Sequence, residues 1–435
     1  MAGALLEALL DRDALAGASR TSPAWLADAR RAAAEALVRE GLPGARNEAW
    51  KYTSLRALEQ RKPIVGDAEA KRRAVEAATF GLPGIDGSRL VFVNGVLRDD
   101  LSRVEPAAGL SIFTLATANP AELEPWRAAL ARDAGTDAAF ARLNTALAAD
   151  GPLVRVAPGA TIDAPVHLVF VGIAAEQEIA WHARALIEVG AGASLRVVEH
   201  HVGAAAAQIG NVVAQYALGA GAKLDLVGIQ GASDAATLIR RSEFSLGAGA
   251  VLSTHALDIG AQLARHDIDV ALAGRGARFA SRGVFALRGR QHADLHLDVR
   301  HAARDTASDI LWRGVADGRA RGVFHGAITV EAGADGADAN LSNKNLLLSP
   351  HAEIDTQPVL EIYADEVKAA HGATVGQLDE GAMFYLRSRG LPPDAARQLL
   401  IAAFCGVALA DVAEPALREH LAAMLASRLP RIGED

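Results

Sequence analysis

The chain has a single cysteine, Cys405, in 435 residues, so it cannot build a disulfide framework, a CxxC zinc site or a four-thiolate iron–sulfur site alone. Aromatic residues are scarce at 5%, which argues against a wide core filled by large rings. Positive charge is not in excess either. Against 44 Lys and Arg stand 52 Asp and Glu, and the net charge of −8 lacks the basic footprint that nucleic-acid binding requires. No apolar run approaches the ~20 residues of a membrane span. The first residues, Met1 to Gly17, carry acids and have no basic n-region of a signal peptide. These absences predict a soluble, cytoplasmic protein with neither nucleic acid nor membrane as partner, and the length suits about two or three domains.

What the chain holds in quantity is glycine, 41 residues of it, and its distribution separates three regimes. Residues 1–150 read as a mainly helical domain. Ser22-Pro23 offers an N-cap and first-turn pair to a helix over 24–40, and Gly41-Leu42-Pro43-Gly44 ends it. Residues 90–97 interrupt as a hairpin, because Asn94-Gly95 fits the two positive-φ positions of a type I′ turn. Helical composition resumes over 121–149. From 151 to 377 the texture is that of strands. Gly190-Ala191-Gly192-Ala193-Ser194-Leu195 recurs at 219–224, at 247–252 and, loosely, at 274–279, with spacings of 29, 28 and 27 residues. Pro158-Gly159-Ala160-Thr161-Ile162 is a degenerate earlier copy. A Gly-x-Gly-Ala corner followed by an alternating strand at near-constant spacing predicts a solenoid of stacked β coils, with glycine at the corners and alanine where coils touch. A phosphate cradle would need a helix after the glycines, and strand-like sequence follows each copy.

Residues 378–435 return to helices. They run over 380–389 up to Gly390, from Pro392-Pro393-Asp394 to about Ala410, and over 416–428 after Pro415. Their apolar faces (Leu399, Leu400, Ala403, Phe404, Val407) must pack on something, either the open end of the solenoid or a partner.

Candidate chemistry is thin. Strand alternation from Gln291 to His301 puts His292, Asp294, His296, Asp298 and Arg300 on one face, two imidazoles and two carboxylates among them. Side chains two apart on a strand diverge from a shared ion, which favours Asp–His pairing on a solvated face over a metal site. His200-His201 point to opposite faces and cannot chelate together. Neither a Gly-x-Ser-x-Gly elbow nor an HExxH helix is present, and the carboxylates are scattered, so the chain reads as a non-enzyme. The alternative is a β-helical enzyme acting on carbohydrate or acyl substrates, although the spacing is not the six-residue repeat of a left-handed acyltransferase helix. Cys405 lies in an apolar helical run and reads as a buried small hydrophobe. Near the end of the solenoid, Val367, Ala369 and His371 share a strand face. Glycine at 372 and 376 leaves His371 little cover, and such an imidazole can serve as one ligand of a metal completed by another chain.

Several longer motifs go together: Leu311-Trp312-Arg313-Gly314-Val315, Gly322-Val323-Phe324-His325-Gly326, Asn343-Lys344-Asn345, Thr356-Gln357-Pro358, His371-Gly372-Ala373-Thr374-Val375-Gly376 and Phe384-Tyr385-Leu386-Arg387-Ser388-Arg389-Gly390. With Arg46-Asn47-Glu48-Ala49-Trp50-Lys51-Tyr52-Thr53 and Val93-Asn94-Gly95 near the start, the chain resembles the SufB/SufD family of iron–sulfur cluster assembly proteins throughout its length. The resemblance implies a mainly β fold, a right-handed parallel β-helix core with helical N- and C-terminal domains. It implies a scaffold subunit that pairs with a SufB-like subunit through the β-helix ends and docks a SufC-like ATPase on its C-terminal helices. An unpartnered β-helix edge would also permit a homodimer when the chain is alone. An iron–sulfur cluster would be assembled transiently at the SufB interface and none held permanently by this chain. The position of His371 is then a metal ligand facing a partner cysteine. The family often has a cysteine two residues before that histidine, where this chain has Ala369, so it would contribute an imidazole there and no thiolate.

Overall fold

A computed structural model of the chain describes residues 3–20, 22–44, 47–76, 80–82, 84–132, 138–203 and 206–429. Its architecture follows from the glycine corners. In each Gly-x-Gly-Ala copy the two glycines are required for different reasons. The second, at 192, 221, 249 and 276, turns the chain at φ of 67°, 67°, 64° and 72°, where a Cβ is strained. The first lies against the corner before it: a Cβ on Gly219 would stand 2.7 Å from the backbone nitrogen of Ala191. The alanine that follows, at 193, 222, 250 and 277, is fully buried. Corner bonds to corner, with Gly192 N–H donating to Ala220 O, Gly221 to Ala248 and Gly249 to Arg275 (2.8, 2.8 and 2.9 Å).

Between corners the chain lays down strands of about ten residues alternately in two parallel sheets. Sheet one orders Leu110–Thr114, Pro152–Val156, Ile179–Val189, Gln208–Leu218, Thr237–Leu246, Leu263–Leu272, His292–His301, Arg321–Val330 and Glu353–Ile362, the first pair antiparallel and the rest parallel. Sheet two orders Ser88–Val93, Val166–Gly172, Ser194–Gly203, Lys223–Gly231, Val251–Asp258, Arg278–Leu287, Ala307–Ala316, Asp338–Leu347 and Lys368–Gly376. The result is the expected parallel β-solenoid, mostly β with helices at both ends of the chain. Its lumen is filled by alternate side chains of both sheets, Leu195, Leu224, Leu252, Phe279, Trp312, Phe324 and Leu341 among them, in one continuous apolar cluster. Period-two alternation forces this: in-register stacking carries each inward position onto the inward position of the next coil.

Each outer face is covered by its own helical layer. The N-terminal helices (Ala4–Leu9, Ala24–Glu40, Ala139–Leu147) pack Leu5, Leu9, Leu37, Phe140 and Leu143, with Trp50, onto Ala180, Ile209 and Ile239 of sheet one. The helix at 24–40 starts and stops where expected, at Gly41 with φ 78°, but its N-cap is Pro23, and Ser22 Oγ instead donates to Ala18 O at 3.2 Å. The 121–149 stretch is broken into short helices, and 133–137 lie outside the described residues. The hairpin at 90–97 forms with Asn94 and Gly95 at φ 49° and 81°. It is also the first rung of sheet two, since Ser88–Val93 pairs in parallel with Val166–Val171.

The C-terminal helices Glu380–Ser388, Pro393–Gly406 and Pro415–Arg428 do not cap the open end. Ile401, Cys405, Leu409, Leu417, Leu421 and Leu425 lie along the outer face of sheet two, on Val198, Val227, Ile229, Leu257, Ile259 and Val284. Cys405 is fully buried there, and burial pushes its thiol up to about 12, as suits a structural hydrophobe. No described helix is long and apolar enough to cross a membrane.

Candidate functional site

Since the tail lies along the flank, the last coil is bare. Glu353–Ile362 and Lys368–Gly376 end their sheets, each with one edge unpaired by any described strand. One inward row of sheet two runs Val197, Leu226, Thr254, Ser281, Ile310, Leu341 and, last, His371. Leu341 is 1% exposed; His371, at the equivalent position one coil later, is exposed because no coil follows. A Cβ on Gly372 or Gly376 would meet nothing within 4 Å, so the backbone around the imidazole is open, as the sequence suggested. Ala369 packs against the lumen cluster. Ile362, Tyr363 and Val375 add exposed apolar surface at the same end. An unpaired, partly apolar edge is the form of surface that recruits another strand.

Beside this edge, the helix Glu380–Ser388 buries none of its residues and presents Phe384 (74% exposed) and Tyr385. Leu399 and Val407 of the next segment are half exposed, opposite the side that buries Ile401 and Cys405. The tail is therefore apolar on two sides, one on the solenoid and one bare.

The His292–His301 strand behaves differently from a chelating strand. His292 Nε2 lies 2.9 Å from Thr53 Oγ1, which donates to Asp294 Oδ2 at 2.6 Å. Arg265 donates to Asp294 at 2.5 Å and to Ala49 O at 2.8 Å, with its guanidinium 4.1 Å from the Trp50 ring centroid. The motif beginning Asn47-Glu48-Ala49-Trp50 thus clamps the N-terminal layer to sheet one; Arg46 lies outside the described residues. Burial works to raise the Asp294 carboxyl, but His296, Arg265 and Thr53 outweigh it and hold it at about 2. His296 Nε2 lies 3.0 Å from Asp294 Oδ1, close to the carboxylate but outside hydrogen-bond geometry. Arg300 turns away to Glu331. The residue that sequence reasoning did not join to this group is His325. It sits 29 residues after His296, the repeat spacing, and register brings the two rings into a stack with centroids 4.9 Å apart.

His200 and His201 face opposite sides, as expected. His200 meets His167 at 3.2 Å on the outer side, while His201 lies in the lumen 3.7 Å from Glu199. Around it, Tyr216 donates to Glu199 (2.6 Å) and Arg240 to Asp258 (2.7 Å), all buried. The adjoining cavity of about 10 Å³ has room for one water, so this polar knot inside an apolar lumen is structural. Among the described residues no three His, Cys, Asp or Glu side chains already converge on one point, and His371 stands without a second protein ligand.

Two family models match the chain: the SufBD protein N-terminal region over residues 11–168, and the SufBD core domain of the SUF system for iron–sulfur cluster assembly over residues 171–404. An iron–sulfur cluster assembly SufBD family protein of Synechocystis is 30% identical over 96% of this chain and 93% of its own length. The iron–sulfur cluster assembly protein SufD of Escherichia coli is 30% identical over 91% of each chain. A SufBD family protein of Mycobacterium bovis is 28% identical over 89% of each.

Proposed function

The chain belongs to the SufBD family of the SUF iron–sulfur cluster assembly system, and from that premise we propose that it is a SufD-like, non-enzymatic scaffold subunit working in the cytoplasm. The observation that carries this reading is the bare terminal coil with His371 at the end of its buried row. The 353–362 and 368–376 edges pair with a SufB-like subunit, or with a second copy of this chain when SufB is lacking. A nascent cluster, the cargo of the complex, is assembled transiently between the two, with His371 supplying an imidazole and the partner supplying thiolate. Ala369 leaves this chain no sulfur ligand of its own there, and Cys405 is too deep to serve. In this division residues 1–150 brace the scaffold, 151–377 form it, and 378–435 dock a SufC-like ATPase on the bare side of Phe384, Tyr385, Leu399 and Val407.

Co-purification of the full chain with SufB-like and SufC-like partners tests the reading. Removing residues 378–435 would strip the cover from sheet two, so a surface change is the cleaner probe. Phe384→Asp should release the ATPase and keep the SufB-like subunit, whereas an ATPase that stays bound places the dock elsewhere. His371→Ala should leave assembly intact and lower cluster yield on the complex; an unchanged yield removes His371 as a ligand.

A further inference from the structure

Among the described residues seven arginines are buried, and six of them reach a carboxylate or a distant carbonyl. Arg98, Arg142, Arg240 and Arg265 hold Asp100, Glu40, Asp258 and Asp294. Arg30 and Arg184 donate to Ala146 O and Ala129 O. Arg313, 7% exposed, has neither: its Nη1 donates only to Trp312 O, the carbonyl of its own neighbour, at 3.0 Å. Burial lowers its guanidinium below the ordinary arginine range, and no carboxylate opposes that. A desolvated cation without a counter-ion costs stability, a cost that a carboxylate from outside the chain would offset.

Its position indicates where such a carboxylate would arrive. Arg313 lies on the outer face of sheet two between Leu311 and Val315, which pack on the tail, and its guanidinium is 5.7 Å from the ring centroid of Phe404. Phe404 and the half-exposed Val407 are three apart on one flank of the tail. Arg313 therefore marks the border where the bare side of the tail meets the sheet. Beyond that border the sheet is uncovered. Lys344 and then Thr374 follow Arg313 in register, both exposed, and Lys344 has no ion pair among the described residues.

We propose that Arg313 and Lys344 anchor an acidic segment of the ATPase partner, at the edge of the aromatic dock. This rests on the reading that residues 378–435 hold that partner, and it specifies the chemistry of the partner's surface. Two cations on adjacent strands, about 4.8 Å apart and neither neutralised by this chain, complement carboxylates carried on one segment. The planar guanidinium takes a carboxylate in a bidentate fork, while the Phe404 ring beside it favours the charge that the site keeps. The pair also borders the surface of Leu399 and Val407, so one docked protein covers the apolar side chains and supplies the missing counter-charge together.

The test is calorimetric titration of the full chain with the SufC-like ATPase in nucleotide-free buffer. Lys344→Glu should weaken binding by at least about tenfold, because reversal sets like charges face to face. Its melting temperature and its pairing with the SufB-like subunit should not change, and Lys344→Arg should bind as the unaltered chain does. The affinity of the unaltered chain should fall with rising salt, and that of Lys344→Glu should fall less. Arg313→Gln should weaken binding about thirtyfold or more; if that variant loses its native melting transition, Lys344→Glu decides. Release by Phe384→Asp, with Lys344→Glu and Arg313→Gln bound as tightly as the unaltered chain, overturns the anchor and leaves the dock standing. An ATPase that survives Phe384→Asp and both charge variants lies elsewhere, and the anchor falls with the dock.

Discussion

Two stretches of one row separate what the fold needs from what it offers. From Val197 to Leu341, successive side chains lie under the next coil and are buried apart from a half-buried Thr254; His371 occupies the same position and lies open. The backbone is the same at both places. What differs is whether another coil follows, so side-chain identity is constrained by packing in the middle and by a partner at the end. A solenoid concentrates interaction chemistry at its termini because only there are inward positions free.

The largest effect should come from the enclosed side of that contrast. Trp312 is 1% exposed and donates from Nε1 to Ser281 Oγ at 3.1 Å, with Gly283 keeping a Cβ away from its ring. Trp312→Ala should destabilise the chain by about 3–5 kcal/mol, read by chemical denaturation. A loss below about 1 kcal/mol would mean the lumen is not close-packed. Next comes the clamp. Asp294→Asn leaves Arg265 paired with Asp267 alone and should cost about 2 kcal/mol, with early release of the N-terminal layer in hydrogen exchange. Asp294 sits at about 2, below its unfolded value near 3.9, so its contribution is whole above that value and lost as pH falls toward 2.

Acid should also act through the buried imidazoles. Burial lowers His167, His292 and His301 to about 4. Their neutral forms are the ones the fold accepts, so stability should be full above pH ~6.5 and decline as pH falls toward 4. A melting temperature flat between pH 7 and 4.5 would contradict this. Smallest in stability are the exposed sites. His371→Ala and Phe384→Asp should each change unfolding free energy by no more than about 0.5 kcal/mol, while His371→Ala lowers cluster yield and Phe384→Asp releases the ATPase. A large loss of stability from either would place them on the enclosed side of the contrast.

Much of this was legible in the sequence, and the reasons for the rest are physical. The coil spacing was readable because positive φ and close approach both demand glycine at 190–276. It faded beyond because Asp305 takes the same left-handed corner at φ 60°, which aspartate tolerates, and Ala337 follows Gly336 without a leading glycine. The strand at 88–93 read as a local hairpin because its parallel neighbour lies 78 residues further along the chain. Period-two alternation gave the face shared by His292, His296 and Asp298. It carries nothing about lateral neighbours, so His325 joined that face only through register. The apolar helices of the tail announced that they pack, and nothing in a helix face says against what.

The corner ladder also fixes a length. Each coil advances about 4.8 Å, and the six steps from Val197 to His371 place the imidazole about 29 Å along the axis. The reach of the open end therefore comes in whole coils. Adding or removing one would move the terminal surface by a single increment and leave its chemistry intact, so the distance between the N-terminal clamp and whatever meets His371 is counted in repeats.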